Sequence, residues 1–372
     1  MTMPQNIKVA VLGIRGFPNV QGGPEIHAQN LYPLVAKRGC DVTVFTREGY
    51  VDSGLKEYKG VRLALLPCLR NKFLEAFLHT LYGVFAARKI SPDILHIHAV
   101  GPSIFIPLAK LLGMRTVMTN HGPDYMRKKW GAFAKAVLWS GEYAGSRWAD
   151  GVICVSHLVA DDIKRRFRRE VNFIPNGVNA VSEIKNTGIL ARHGLVKGKY
   201  IMAIGRFVPE KGFHDLIDAF NISGIHGWKL VIVGDATHED GYTSGLKKMA
   251  GDDIILTGVV SGASLEELYG GAGLFVMPSY YEALSIALLE AMSHGLKCVV
   301  SDIPANKSVG LPVELYFKTG DVKELSEKIR ESISSPLSES ERAAQIGMVA
   351  EKYDWERIAD QTLSVYKKVL SG

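Results

Sequence analysis

Two successive doubly wound α/β domains are what this sequence predicts, on three observations. At 372 residues the chain is longer than one typical hydrophobic core organises. Short apolar runs alternate with segments of helical spacing, the pattern of a parallel sheet covered by helices. The alternation pauses at Ile174-Pro175-Asn176-Gly177-Val178, then restarts with a fresh strand, glycine-bearing loop and helix. The expected domains are residues 1–180 and 181–354.

The first strand is Ile7-Lys8-Val9-Ala10-Val11-Leu12, followed by a glycine-rich loop from Gly13 to Gly23. Pro24 suits the first turn of a helix that carries Ile26, Leu31, Leu34 and Val35 on one side and closes at Gly39. Further strands are expected at residues 42–45, 94–97, 115–118 and 151–155, with helical stretches between them. In the second half, residues 200–204 read as a strand, Gly205 to Gly212 as a loop, and residues 215–220 as part of a helix. Residues 229–234, 254–256, 274–278 and 297–300 complete a second strand set, and residues 353–369 form a terminal helix.

Composition narrows the class. Hydrophobic residues make up 47% and charged residues 22%, ordinary for a soluble globular protein. No run of 18 uncharged apolar residues exists, so no transmembrane helix is expected. The start, Met1-Thr2-Met3-Pro4-Gln5-Asn6, lacks the basic segment and apolar stretch of a signal peptide, and a cytoplasmic protein is expected. Cys40, Cys68, Cys154 and Cys298 are too scattered for a disulfide framework or a zinc site. Charge is uneven: residues 1–185 hold 25 Lys+Arg against 14 Asp+Glu, net +11, and the remainder holds 19 against 24, net −5. Such asymmetry points to a polyanionic or membrane-surface partner for the first half. The basic residues are not interleaved with aromatics in a nucleic-acid-binding pattern, so no nucleic acid is expected.

The most informative segment is Tyr281-Glu282-Ala283-Leu284-Ser285-Ile286-Ala287-Leu288-Leu289-Glu290-Ala291-Met292. A buried carboxylate is costly unless paired or hydrogen-bonded, so Glu290 between Leu289 and Ala291 needs a reason. A helix beginning just after Glu282 would set the two carboxylates about 12 Å apart along its axis. Gly205-Arg206-Phe207-Val208-Pro209-Glu210-Lys211-Gly212 leaves a strand, enters a helix and offers two cations five residues apart. Arg206 can grip a phosphate bidentately, while Lys211 acts as a point charge. Gly13-Ile14-Arg15-Gly16 and Gly22-Gly23 lack the Gly-x-Gly-x-x-Gly fingerprint of dinucleotide binding. Thr119-Asn120-His121-Gly122-Pro123-Asp124-Tyr125 follows a strand at the carboxyl edge, where ligands bind in such sheets. His96 and His98 flank a strand end, but no nearby Cys, Asp or Glu completes a metal set. No Asp-x-Asp motif is present to hold a catalytic magnesium.

These motifs, in this order, resemble the retaining glycosyltransferases of family 4, and the resemblance covers nearly the whole chain. His121 with Asp124, Arg127, Lys129 and Trp130 is similar to a subset of bacterial polysaccharide transferases that includes rhamnosyltransferases. The resemblance implies a GT-B fold: two Rossmann-like domains facing across a cleft, with a C-terminal helix (355–372) returning to the first. It implies transfer of a hexose from a nucleotide-sugar donor to a glycan or lipid-linked glycan in bacterial surface polysaccharide synthesis. Glu290 would bind the ribose, Glu282 the sugar hydroxyls, and Arg206 and Lys211 the diphosphate, with the backbone amides of Leu284 and Ser285 also at the phosphates. His121 would contact the donor sugar, and Gly22 and Gly23 would lie against the donor phosphate and the acceptor. No protein nucleophile, metal or cofactor is implied, and Asp124 is a candidate for placing the acceptor. Two departures stand out: Ala283-Leu284-Ser285 replaces the frequent Gly-Phe-Gly, and Asn306-Lys307-Ser308-Val309 lacks the acid that usually precedes that valine.

Other classes make different demands. A nucleotide-sugar epimerase shares the fold but needs no acceptor, an oxidoreductase needs the missing fingerprint, and a non-catalytic glycan-binding protein needs neither both cations nor both glutamates. Residues 125–130 leading into Phe133, Val137, Leu138 and Trp139, and Lys164-Arg165-Arg166-Phe167-Arg168-Arg169, combine basic with apolar residues. They suggest peripheral binding to an anionic membrane surface. The sequence carries no signal for oligomeric state.

Overall fold

A computed structural model describes residues 6–68, 74–126, 130–181, 183–236 and 239–372. Met1 to Gln5, part of the N-terminal segment read above, and the basic Arg127, Lys128 and Lys129 lie outside the described residues. The chain divides into two compact units, residues 1–176 with 355–372, and residues 177–354. Val178 belongs to the second because its N–H donates to the carbonyl of Tyr353 at 2.8 Å.

In the first unit the strands are β1 (Lys8–Leu12), β2 (Asp41–Arg47), β3 (Glu57–Tyr58), β4 (Val61–Leu66), β5 (Ile94–His98), β6 (Thr116–Asn120), β7 (Gly151–Cys154) and β8 (Asn172–Phe173). Its helices are α1 (Gly23–Lys37), α2 (Glu75–Ile90), α3 (Ile106–Leu111), α4 (Ala132–Trp148) and α5 (His157–Phe167). The sheet runs β3-β4-β2-β1-β5-β6-β7-β8, parallel except where β3 meets β4. Val9 to Leu12 and all of β5 are buried, as expected of parallel strands covered on both faces.

The second unit carries α6 (Ile189–Arg192), β9 (Tyr200–Ile204), α7 (Phe213–Ser223), β10 (Lys229–Val233), α8 (Gly241–Met249), β11 (Ile254–Gly258), α9 (Ala263–Gly271) and β12 (Leu274–Met277). It continues through α10 (Ile286–Ser293), β13 (Cys298–Ser301), α11 (Pro304–Lys307), β14 (Tyr316–Phe317), α12 (Val322–Ser334) and α13 (Glu339–Lys352). Its all-parallel sheet runs β11-β10-β9-β12-β13-β14. Cys154 and Cys298 are buried strand residues in the two sheets. The terminal helix α14 (Trp355–Ser371) returns to the first unit, where Arg38 pairs with its Glu356 at 2.7 Å.

Two expectations change in detail. The helix holding Glu290 starts at Ile286, not after Glu282, because the Ser285 hydroxyl caps it by accepting from Leu288 N–H at 3.4 Å. Glu282 therefore sits in the preceding loop, and the 12 Å helical separation does not apply. On α1 the buried side is Glu25, His27, Ala28, Leu31, Tyr32 and Val35, with Ile26 and Leu34 on its flanks. The polar members hold that face because each finds a partner there, as described below.

Candidate active site

In the second unit, β9 and β12 are neighbours although β10 and β11 intervene in the chain. At such a reversal of strand order the loops leaving the strands part, and open α/β sheets bind ligands in the crevice outside the carboxyl ends. The loops leaving these two strands are Gly205 to Gly212 and Pro278 to Ser285, the two that the sequence singles out.

They are fastened together. Tyr280 N–H donates to the Glu210 carbonyl at 2.8 Å, and its hydroxyl donates to Asp215 Oδ2 at 2.7 Å. Lys211 Nζ donates to Glu282 Oε1 at 2.6 Å, and Ser279 Oγ donates to the same oxygen at 2.8 Å. Gly212 makes the approach feasible: it sits at φ +66°, and a β carbon there would lie 2.3 Å from the Pro278 carbonyl oxygen. Arg206 is partly exposed just beyond β9, and Leu284 and Ser285 are buried. Glu290 projects from α10, where its Oε2 accepts from Tyr269 Oη at 2.9 Å. Burial pushes the Glu290 carboxyl up to about 7, against the lowering effect of the Tyr269 hydrogen bond.

The strand order of the first unit reverses likewise between β1 and β5. In the loop after β1, Arg15 Nε and N–H both donate to Glu25 Oε1, at 3.0 and 3.2 Å, and its Nη2 donates to the Gln21 carbonyl. Gly22, at φ +151°, precedes α1; a β carbon there would meet Glu25 Oε2 at 2.1 Å and Arg15 Nη2 at 2.6 Å. A β carbon on Gly23 would meet nothing within 4 Å, so there is free space at Gly23 itself.

His121 follows β6, and its turn is locked from behind. Asn120 Oδ1 accepts from Gly122 N–H at 2.8 Å, and its Nδ2 donates to Glu142 Oε1 on α4 at 3.3 Å. The other oxygen of Glu142 accepts from Arg166 at 2.7 Å and from Tyr125 at 2.9 Å. Asp124 opens a short 3-10 turn and is bound to the same corner through its N–H and the Gly122 carbonyl, 2.9 Å apart.

The sequence reading did not join His121 to other histidines. His121 Nε2 lies 2.9 Å from His98 Nδ1, and His27 Nδ1 lies 3.0 Å from Asn176 Oδ1. Nitrogens of His27, His98 and His121 all fall within 4.8 Å of one another. Burial holds His27 at about 4 and His96 at about 3, and pushes His98 and His121 well below the usual imidazole value. All four rings are therefore neutral near pH 7. The alternation His96-x-His98 on a buried strand was the available signal; His27 and Glu142 had none.

Known proteins place the chain by family and fold. The profile of Glycosyltransferase Family 4 matches residues 21–181, and that of Glycosyl transferases group 1 matches residues 189–353. The chain belongs to the GT-B glycosyltransferases. It is 27% identical to the alpha-maltose-1-phosphate synthase of Mycolicibacterium smegmatis over 98% of this chain and all of that protein. It is 25% identical to the phosphatidyl-myo-inositol mannosyltransferase of Mycobacterium leprae over 95% of each. Among solved structures, the Anabaena HepE complex with UDP-glucose shares the GT-B fold at a TM-score of 0.80, with 17% identity over 97% of this chain and all of that one. In this transferase the group 1 segment carries Arg206, Lys211, Glu282, Leu284, Ser285 and Glu290. The family 4 segment carries Gly22, Gly23 and His121. No helix among the described residues is long and apolar enough to cross a membrane.

Proposed function

We propose that this transferase moves a hexose, with retention of configuration and without a metal, from a nucleotide-sugar donor to a glycan or lipid-linked glycan in bacterial surface polysaccharide synthesis. The observation that carries this reading is the Lys211–Glu282 pair at the sheet reversal, with Arg206 on the same loop and Glu290 on the next helix. As the sugar–phosphate bond breaks, charge grows on the leaving diphosphate, and Arg206 and Lys211 stabilise it as preplaced cations. The amides of Leu284 and Ser285, at the start of α10, add donors of the kind that helix N-termini present to phosphate. Glu282 accepts from hydroxyls of the sugar and Glu290 from those of the ribose. In the first domain, His121 is the residue proposed for the sugar, and the crowded Gly22 with the exposed Gly23 the pair proposed for the acceptor. The acceptor oxygen bonds to the anomeric carbon on the face the diphosphate leaves, and its proton passes to the departing phosphate oxygen. The nucleotide-sugar reading draws on the UDP-glucose complex of HepE, and the lipid-linked acceptor on the phosphatidyl-myo-inositol mannosyltransferase.

A peripheral site on an anionic membrane fits the same reading. Phe133, Trp139, Tyr143 and Trp148 of α4 are exposed, Phe133 at 84%, and Lys164, Arg165 and Arg168 at the end of α5 are exposed cations. The functional test is incubation with a panel of nucleotide sugars, scored for free nucleotide with and without glycan acceptors. Acceptor-dependent release with an α-linked product from an α-linked donor supports the proposal. A changed sugar without acceptor would indicate an epimerase, and no turnover at all a binding protein.

A further inference from the structure

A continuous line of buried polar groups runs from the C-terminal helix to His121. Thr119 Oγ1 lies 2.7 Å from His96 Nε2, and Tyr366 Oη lies 2.6 Å from His96 Nδ1. Tyr32 Oη lies 3.1 Å from His96 Nδ1 and also contacts His98 Nε2. His98 Nδ1 then meets His121 Nε2 at 2.9 Å. His96, His98, Tyr366 and Tyr32 are each fully buried, so water does not substitute for these partners.

The direction of the line follows from acid and base strength. A phenol is a far stronger acid than a neutral imidazole N–H, and an imidazole nitrogen is a far stronger base than a phenol oxygen. Tyr366 lies nearer to His96 Nδ1 than Tyr32 does and donates its proton there, so the single proton of Tyr32 is donated to His98 Nε2. A neutral imidazole that accepts at Nε2 carries its proton on Nδ1, so His98 Nδ1–H donates to His121 Nε2. His121, accepting at Nε2, is left with Nδ1–H as its remaining polar group. The same bookkeeping argues against a metal at His27, His98 and His121, because both nitrogens of His98 are already engaged.

We propose that Tyr32 and His98 are positioning residues that hold His121 in its Nδ1–H tautomer, so that His121 meets the transferred sugar as a hydrogen-bond donor. The identity of its acceptor rests on the proposed function; the tautomer does not.

The test is long-range nitrogen–proton correlation spectroscopy on protein labelled with ¹⁵N-histidine at pH 7.5, with signals assigned from His98→Gln and His121→Gln. The expected spectrum shows a protonated Nδ1 and a bare Nε2 on both His98 and His121. Tyr32→Phe is expected to mix the tautomers of both rings. It should also lower turnover roughly 5- to 10-fold, as for one lost hydrogen bond, with nucleoside diphosphate affinity unchanged. A bare Nδ1 on His121 in the wild-type protein would overturn the proposal, whether or not Tyr32→Phe folds. So would unchanged tautomers in a folded Tyr32→Phe. Because the spectrum needs no sugar, the expected tautomers without any transferase activity would sink the proposed function alone.

Discussion

Lys211 and Glu282, 71 residues apart in the chain, meet at 2.6 Å where the loops after β9 and β12 come together. The lysine side chain is 20% exposed and the glutamate 14%, so each depends on the other for much of its solvation. Losing one partner of such a pair leaves a poorly hydrated charge, which costs more than losing both. Lys211→Ala should therefore destabilise the protein, and adding Glu282→Gln should recover most of that loss. Thermal unfolding of the four members of the cycle measures the coupling. Activity should not return in the double variant, since the proposed function has both groups act on the donor.

Glu290 should make nucleotide binding pH-dependent. Its carboxyl is raised to about 7 by burial, so the ionised form that accepts best from ribose hydroxyls fills only as pH rises through neutrality. Nucleoside diphosphate affinity, read by calorimetry, should rise between pH 6 and pH 8. Glu290→Gln should bind more weakly at pH 8 and lose that rise. Stability moves the other way. The unfolded chain releases this proton near 4.5 while the folded protein keeps it to about 7, so folding weakens as pH rises through that window. At pH 8 the glutamine variant should melt higher than wild type.

The histidines of the first unit should make it acid-labile. Unfolded imidazoles gain protons near 6.5, whereas His27 stays neutral down to about 4 and His96 down to about 3. The unfolded chain then binds more protons, and stability falls as pH drops below 6.5. Urea midpoints at pH 7.5, 6 and 5 should fall in that order, and the decline should be shallower for His27→Gln. A midpoint independent of pH for wild type would show that these rings already titrate normally.

The basic end of α5 contains two kinds of arginine. Arg166 is bound to Glu142, whose side chain is 2% exposed, so Arg166→Ala should cost up to about 3 kcal/mol by removing that carboxylate's cation while Asn120 and Tyr125 still donate to it. Arg165, 79% exposed, pairs with Asp162 one turn away, and such surface pairs contribute little. Arg165→Glu with Arg168→Glu should leave folding intact and weaken co-sedimentation with anionic vesicles at low salt. Vesicle binding that ignores both substitutions would place any membrane contact elsewhere.

What the sequence made legible followed local rules. Apolar runs marked most of the strands, and the glycine loops and the motifs around Arg206, Lys211 and Glu282 marked loops that leave the strands at the reversals of strand order. β4 went unread although Val61-Arg62-Leu63-Ala64-Leu65-Leu66 is largely apolar, because no glycine loop or helix of clear spacing brackets it, and the two-residue strands β3, β8 and β14 carry no periodicity at all. The start of α10 was misplaced because Ser285, not Glu282, supplies the cap, and a capping choice between nearby residues is decided by tertiary contacts. The site's supports were hidden for a different reason. Arg15 with Glu25, Glu142 with Asn120, and the line from Tyr366 to His121 join residues 10 to 270 positions apart. Each appears in the sequence as an isolated polar residue, and only the sheet brings the partners together.

The central claim is a diphosphate held by protein cations rather than by a metal. Turnover of the wild-type protein, Arg206→Ala and Lys211→Ala, each measured with and without EDTA, tests it most directly. EDTA should leave wild-type turnover nearly unchanged, and each alanine variant should lose about 100-fold or more, as for other lost transition-state donors. Abolition of activity by EDTA, with both variants near wild type, would contradict it.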